Sequence, residues 1–236
     1  MDPYAWSWNP EALLLIPALT GGYFWIVRRH ATPRWRVACW LAAMVLILAV
    51  SITPVETIAL HFLLSVHLIQ NVVLAEWAPL LAVLGIPPTL ARILPKVPPL
   101  PALALWLVNY GFWHLPWIYD AALRNPHTLL HAEHALYFAT GMLLWWPIVH
   151  SALSAGTKAL YLFAAFLLAS PIGLMMALVP DPIYDFYADG PGLWGLSPLE
   201  DQQIAGASMA TAEAIVFFAG FAFFFVRFFG EQDAER

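Results

Sequence analysis

Long apolar runs alternate with short polar or proline-rich joints along almost the whole chain. A helix needs about 20 apolar residues to cross the hydrocarbon core of a bilayer, and most of the runs approach that length. Proline and glycine interrupt helices, so "SITP", "GIPP" and "RNP" indicate joints between them. The pattern predicts an all-α integral membrane protein, a seven-transmembrane-helix bundle forming one domain over residues 1–236. The predicted spans are roughly 10–27, 35–53, 57–84, 101–119, 128–149, 158–179 and 202–228.

The composition agrees with a membrane location. Hydrophobic residues make up 61% of the chain and charged residues 11%, whereas soluble domains carry about 25% charged residues. The composition therefore indicates that most of the chain is surrounded by lipid. Because Cys39 is the only cysteine, an intramolecular disulfide and a cysteine-based zinc site are both excluded.

The basic residues predict how the bundle is oriented. Lysine and arginine accumulate in the cytoplasmic connections of membrane proteins, and nine of the ten basic residues here fall on one side of the predicted spans. The N-terminus is therefore predicted to lie outside and the C-terminus in the cytoplasm. The nine are Arg28, Arg29, Arg34, Arg36, Arg92, Lys96, Lys158, Arg227 and Arg236, and Arg124 is the exception.

With this orientation, histidines from three different spans lie near the outer face. His131 and His134 are three residues apart, which places them on one face of a helix. Polar side chains inside spans are costly and mark functional sites by default. Imidazole nitrogens suit copper, iron and zinc, so the convergence predicts a metal site. The predicted metal ligands are His61, His67, His114, His131, His134 and Asp201.

Other polar residues are predicted to orient these ligands or to carry protons, because groups around a metal site fix its histidines by hydrogen bonding. Purely structural roles stay open for some of these polar residues. His61 could be an interfacial residue, and Asp201 could be the N-cap of the last span. The deep carboxylates Glu76 and Glu213 could be neutral hydrogen-bonding groups. The predicted orienting or proton-linked residues are Gln70, Asn71, Glu133, Gln202, Gln203 and Glu213.

The chain resembles the CtaG-type cytochrome c oxidase assembly factors in four stretches that occur in the family's order. They are "HFLLSVHLIQNVVLAEWAPLLAVLGIPP", "FWHLPWIYDAAL", "HAEHALYFATGMLLWWPI" and "LSPLEDQQIAGASM". The family pattern in span three corresponds to His61, His67 and Gln70, while Asn71 stands where many members have a histidine. The family residues that match in this chain are His114, His131, His134, Asp201, Gln202, Gln203 and Glu213.

The resemblance implies a multi-pass protein of the bacterial inner (cytoplasmic) membrane that handles copper, as Cu(I), while the oxidase is assembled. Its implied partners are oxidase subunits or other assembly factors, and not nucleic acid. A site with Asn71 in place of histidine would hold one imidazole fewer, or would shift a ligand role to His61.

Two alternatives to the copper-binding assembly factor remain. Haem iron takes axial histidines, so a haem-binding subunit of a respiratory complex is possible on the residues alone, and a purely structural subunit is the third reading. An enzyme is not expected, because the chain has no phosphate-binding loop, no G-x-S-x-G elbow and no H-E-x-x-H motif.

The connection from Pro180 to Glu200 is the longest predicted outside the membrane. It contains three aspartates together with Tyr184, Phe186, Tyr187 and Trp194. Its length and its mixture of charge and aromatic rings predict a docking surface for a partner protein.

Overall fold

The computed structural model describes residues 1–234, and within that range the chain forms twelve α-helices and two π-helical segments with no β-strand. Arg236, used above to predict the orientation, lies outside the described residues. The α-helices are α1 (Pro10–Val27), α2 (Arg34–Ile52), α3 (Pro54–His61), α4 (Leu64–Val72), α5 (Ala78–Gly85), α6 (Pro88–Ala91), α7 (Pro99–Trp113), α8 (Pro116–Arg124), α9 (His131–His150), α10 (Ala155–Leu178), α11 (Asp185–Ala188) and α12 (Pro198–Ala234); the π-helical segments are Val73–Trp77 and Pro126–Leu130.

Five of the predicted spans are long and apolar enough to cross a membrane within residues 1–234. They are α1, α2, the continuous stretch Leu64–Gly85, α10 and most of α12. The other two predicted spans correspond to α7, which has only 15 residues, and to α9, whose polar residues begin with His131 and Glu133. The chain is thus an all-helical membrane protein, while the seven-span count and the orientation stay predictions.

Two predicted spans are each divided into two helices, which corrects the sequence-based boundaries. The span predicted at 57–84 is interrupted at Phe62 and Leu63, where Leu63 is extended and α4 begins anew. The span predicted at 101–119 stops at His114, and α8 starts at Pro116. A residue before proline avoids the helical conformation, and Leu115 is accordingly extended. Hydrophobicity alone does not reveal these breaks, since all four flanking segments are apolar.

A π-helical turn at Val73–Trp77 comes directly before the first residues of α5, Ala78 and Pro79. Proline has no N–H, so the carbonyl of Ala75 loses its helical partner. The indole of Trp106 donates to that carbonyl instead, at 3.4 Å. Gly141 of α9 lies directly against it, and a Cβ added to Gly141 would come within 2.2 Å of the Ala75 oxygen. α9 can therefore pack this closely on the span only because residue 141 is glycine.

The longest helix, α12, packs between α10 and α4. Its close approach to α10 depends on Gly206, where an added Cβ would lie 2.4 Å from the carbonyl oxygen of Gly173. Small residues let membrane helices approach backbone to backbone in this way. The packing places the N-terminus of α12 beside the N-terminus of α4, and this position determines the architecture of the site.

Candidate metal site

Asp201, near the start of α12, caps the N-terminus of α4. Its carboxylate accepts hydrogen bonds from the backbone N–H groups of Leu64 at 2.7 Å and Ser65 at 3.1 Å, and from the Ser65 hydroxyl at 2.5 Å. A carboxylate is a strong cap because the first N–H groups of a helix have no partner within the helix. The alternative that Asp201 caps its own helix is wrong, since it caps a helix 136 residues earlier in the chain. This bond holds α4, and therefore His67, in place.

His67 is fully buried and its Nδ1 is held by two tyrosines. Nδ1 lies 2.8 Å from the Tyr187 hydroxyl and 3.1 Å from the Tyr119 hydroxyl. The Tyr187 hydroxyl donates its only hydrogen to the Ala59 carbonyl at 2.5 Å. Nδ1 must therefore be the donor toward Tyr187, and the lone pair of the neutral ring is on Nε2. That Nε2 is buried and has no hydrogen-bond partner within residues 1–234.

His114, between α7 and α8, has the same tautomer for a simpler reason. Its Nδ1 lies 2.8 Å from the backbone carbonyl of Tyr110, and a carbonyl can only accept. Nδ1 therefore carries the hydrogen, and the Nε2 lone pair of this buried ring finds no partner in the described part of the chain. The ring of Tyr119 lies between the two histidines, with its centroid 5.3 Å from that of His67 and 6.2 Å from that of His114.

His134, on the first turn of α9, faces His67 from the other side. The two ring centroids are 6.1 Å apart and the rings are nearly perpendicular. The Nε2 of His134 is also buried without a hydrogen-bond partner among the described residues. Another part of the ring lines a cavity of about 380 Å³ between α1 and α9. We call His67, His114 and His134 the histidine cluster.

The protonation state of the histidine cluster follows from its burial. A buried charged imidazolium with no counter-ion is costly, so the rings are neutral and their Nε2 lone pairs are the form that binds metals. Among residues 1–234, no group of three histidine, cysteine, aspartate or glutamate side chains is already close enough together to hold a metal ion. The nearest arrangement is the neighbouring pair His67 and His134.

Two predicted ligands lie away from the histidine cluster. His61 ends α3 at the surface and lines a separate shallow cavity with Phe62 and Phe186. His131 is half-exposed, and its Nδ1 lies 3.9 Å from a carboxylate oxygen of Glu11. His131 lines the same cavity as His134, so it lies on an approach to the cluster and outside the cluster itself.

The connection predicted as a docking surface is folded into the bundle in part. Tyr184 and Tyr187 are buried, and burial raises the pKa of both hydroxyls, which keeps them protonated. The Tyr184 hydroxyl donates to the His114 carbonyl at 3.0 Å. Gln202 anchors the segment by accepting from the Ile183 N–H at 2.6 Å. The docking prediction is therefore wrong for these two tyrosines, which form a wall of the histidine cluster. The pattern "YDFY" is a sequence signal for this burial, since Tyr184 and Tyr187 are three residues apart around a short helix and so point to the same side.

The remaining predicted polar residues take part in three different contacts. Asn71 donates to Glu133 at 3.2 Å, so Glu133 faces another helix. Gln70 points away from the cluster, donating to the Val50 carbonyl at 2.9 Å and to the Glu56 carboxyl group. Gln203 lies on the surface of α12 and lines a groove there.

A second buried polar group lies deeper in the bundle. Glu76, in the π-helical turn, and Glu213, in α12, are both fully buried and close enough for their charges to repel. The Tyr110 hydroxyl donates to one oxygen of Glu213. Both oxygens of Glu76 and the second oxygen of Glu213 have no hydrogen-bond partner in the part of the chain that the structure describes. We call these two residues the carboxylate pair.

The family model described as cytochrome c oxidase caa3 assembly factor (Caa3_CtaG) matches residues 21–231, nearly the whole chain. The chain belongs to this family. The match confirms the resemblance inferred from the four sequence stretches. No curated protein and no solved structure is significantly similar to the chain.

Membership gives the chain a role in the assembly of cytochrome c oxidase. Such a role implies contact with oxidase components and suggests a non-catalytic protein. The helices long and apolar enough to span a bilayer place this role in a membrane.

Proposed function

We propose that this membrane assembly factor binds copper as Cu(I) at the histidine cluster and thereby aids maturation of an oxidase copper centre. The single observation that carries the proposal is that three neighbouring imidazoles, His67, His114 and the partly buried His134, each have a buried Nε2 with no hydrogen-bond partner in the described part of the chain. Hydrogen bonds at Nδ1 of His67 and His114 leave the Nε2 lone pairs toward the interior. Imidazole is a suitable ligand for copper.

The residues of the cluster fit the ion in chemistry and in surroundings. His67 and His134 are the proposed ligands because their rings are direct neighbours, and His114 is the next imidazole beyond Tyr119. Bound copper would supply the metal that the oxidase centre receives. The tyrosines hold the rings and exclude water, while Asp201 fixes α4. The metal-ligand roles predicted for His61 and Asp201 are not part of the proposal.

The proposed location follows from the basic residues. If the connections rich in arginine and lysine are cytoplasmic, the histidine cluster lies toward the outer face of a bacterial inner membrane, and seven spans connect an outer N-terminus to a cytoplasmic C-terminus. The proposed partners are oxidase subunits or other assembly factors, which would reach the copper from outside.

The test is elemental analysis and a visible spectrum of the detergent-purified protein after Cu(I) loading under reducing conditions. The wild type should bind roughly one equivalent of copper, and the double variant His67→Ala/His134→Ala should lose it. The matched control is His61→Ala/His127→Ala, which removes two exposed histidines and should keep the copper. A haem Soret band would move the protein to the haem-binding alternative. Equal copper in all three proteins, or none in the wild type, would refute the site.

A further inference from the structure

A cavity lies at the opposite end of α12 from the histidine cluster. It has a volume of about 740 Å³ and opens between α2, α5, α9, α10 and α12. Its walls are mainly leucine, isoleucine, valine and phenylalanine side chains, with Arg36, Lys158 and Arg227 as its charged members. We call it the basic groove.

The three cations of the basic groove form one positively charged region. Arg36, Lys158 and Arg227 line the same cavity, and Lys158 lies near enough to Arg227 for their charges to repel. Like charges gathered beside apolar walls are unfavourable unless an anion accompanies them. Among the described residues that line the groove, none is acidic. Glu231, outside the groove, lies 3.8 Å from Arg227 and also acts on Lys158, so one carboxylate accompanies three cations.

The charged ends of Arg36 and Lys158 are each positioned by a contact within the protein that leaves further donors free. One nitrogen of Arg36 donates to the carbonyls of Leu84 at 2.7 Å and Ile86 at 3.0 Å, and the rest of its guanidinium has further donors. The Lys158 ammonium lies 5.4 Å from the ring centre of Phe224. These two cations are therefore held at the mouth of the groove by the protein itself.

These features select one class of occupant. An acidic phospholipid combines a phosphate, which arginine and lysine bind, with acyl chains that match the apolar walls. Basic pockets between membrane helices on the cytoplasmic side bind anionic head groups. Haem fits less well, because no histidine, methionine or cysteine among the described lining residues could reach its iron. We propose that the basic groove binds one acidic phospholipid, with its phosphate at Lys158, Arg227 and Arg36 and its acyl chains along the groove.

Native mass spectrometry of the delipidated full-length protein tests this proposal. The probes are phosphatidylglycerol and phosphatidylcholine with identical acyl chains, offered in equal amounts. We expect one tightly held phosphatidylglycerol and no comparable retention of phosphatidylcholine. Since a surface cation adds about fivefold to the attraction for an acidic lipid, Lys158→Gln/Arg227→Gln should weaken phosphatidylglycerol binding by about 25-fold.

Two further variants separate the groove from general charge. Arg28→Gln/Arg29→Gln removes the same charge from the connection after α1 and should leave lipid binding unchanged. Ala219→Trp fills the groove without altering its charge and should abolish binding, with circular dichroism confirming that the variant is folded. Equal retention of the two lipids, or equal loss in the Arg28/Arg29 control, would overturn the proposal. These outcomes are independent of copper binding.

Discussion

The histidine cluster and the carboxylate pair are two polar groups inside the bundle, and each has one member, His67 or Glu76, on the span Leu64–Gly85. His67 and Glu76 are nine residues apart, a rise of about 13 Å along the helix. In both groups, polar atoms are buried without a hydrogen-bond partner inside residues 1–234. The two groups differ in what they need in order to be uncharged.

A neutral imidazole is uncharged without taking up a proton and keeps a lone pair, whereas a carboxylate becomes uncharged only by binding a proton. Burial disfavours charge in both cases. The histidine cluster consequently keeps lone pairs on neutral rings, and the carboxylate pair requires protons. The metal site proposed above depends on the first property, and a proton-binding role of the carboxylates would depend on the second. Four substitutions test this difference.

The largest expected effect is on copper binding by His67→Asn. The asparagine amide reproduces the Nδ1–H that donates to Tyr187 but has no counterpart of Nε2. Loss of groups that merely orient a ligand lowers metal affinity by about 10- to 100-fold, and loss of the ligand itself should exceed that. Competition with a Cu(I) chelator measures the affinity, while the thermal midpoint should change little. Full copper affinity in this variant would separate copper from the histidine cluster.

Asp201→Ala should produce the largest loss of stability, since it affects the span that holds His67 of the histidine cluster and Glu76 of the carboxylate pair. The substitution leaves two backbone N–H groups and a hydroxyl at the buried start of α4 without an acceptor. We expect the free energy of unfolding in mixed micelles to fall by about 3 kcal/mol. Glu200→Ala removes the adjacent, exposed carboxylate and should cost much less than Asp201→Ala. Similar losses in the two variants would contradict the capping role.

The carboxylate pair should tolerate amides, because glutamine resembles a protonated glutamate in shape and charge. Glu76→Gln should change the free energy of unfolding by less than about 1 kcal/mol, since neither Glu76 oxygen has a partner in the described chain to lose. Infrared difference spectroscopy should show the carbonyl stretch of a protonated carboxylic acid in the wild type and a weaker one in the variant. An unchanged spectrum together with a large destabilisation would mean that Glu76 is ionised.

The last prediction concerns the pH dependence of folding at Glu56, in α3 ahead of the Leu64–Gly85 span. Burial raises the pKa of this carboxyl from 4.5 to about 7. The folded protein therefore binds a proton that the unfolded chain releases, and stability should decline as the pH rises from about 4.5 to about 7. Glu56→Gln should flatten that slope in pH-dependent unfolding, whereas Asp189→Asn, at an exposed carboxylate, should leave it as in the wild type. A slope unaffected by Glu56→Gln would exclude Glu56 as its source.

The sequence by itself determined the helical membrane architecture and the family. Apolar runs of sufficient length form helices wherever they lie, which is why α1 begins and ends where the pattern predicted. Of the five histidines predicted to lie near one face, His67, His114 and His134 come close together, whereas His61 and His131 lie outside the cluster. Local periodicity and chain length decide these features, and both can be read residue by residue.

Tertiary structure alone decided how the site is made. The break before α4 depends on Asp201, which is 136 residues from Ser65 in the chain, and the tautomer of His67 depends on Tyr187, 120 residues away. No local pattern contains these contacts. Glu76 and Glu213 were predicted as separate buried carboxylates, and only the packing of α12 against α4 and the π-helical turn brought them together. Hydrophobicity set which segments enter the membrane, and long-range hydrogen bonds and helix packing set which polar atoms meet there.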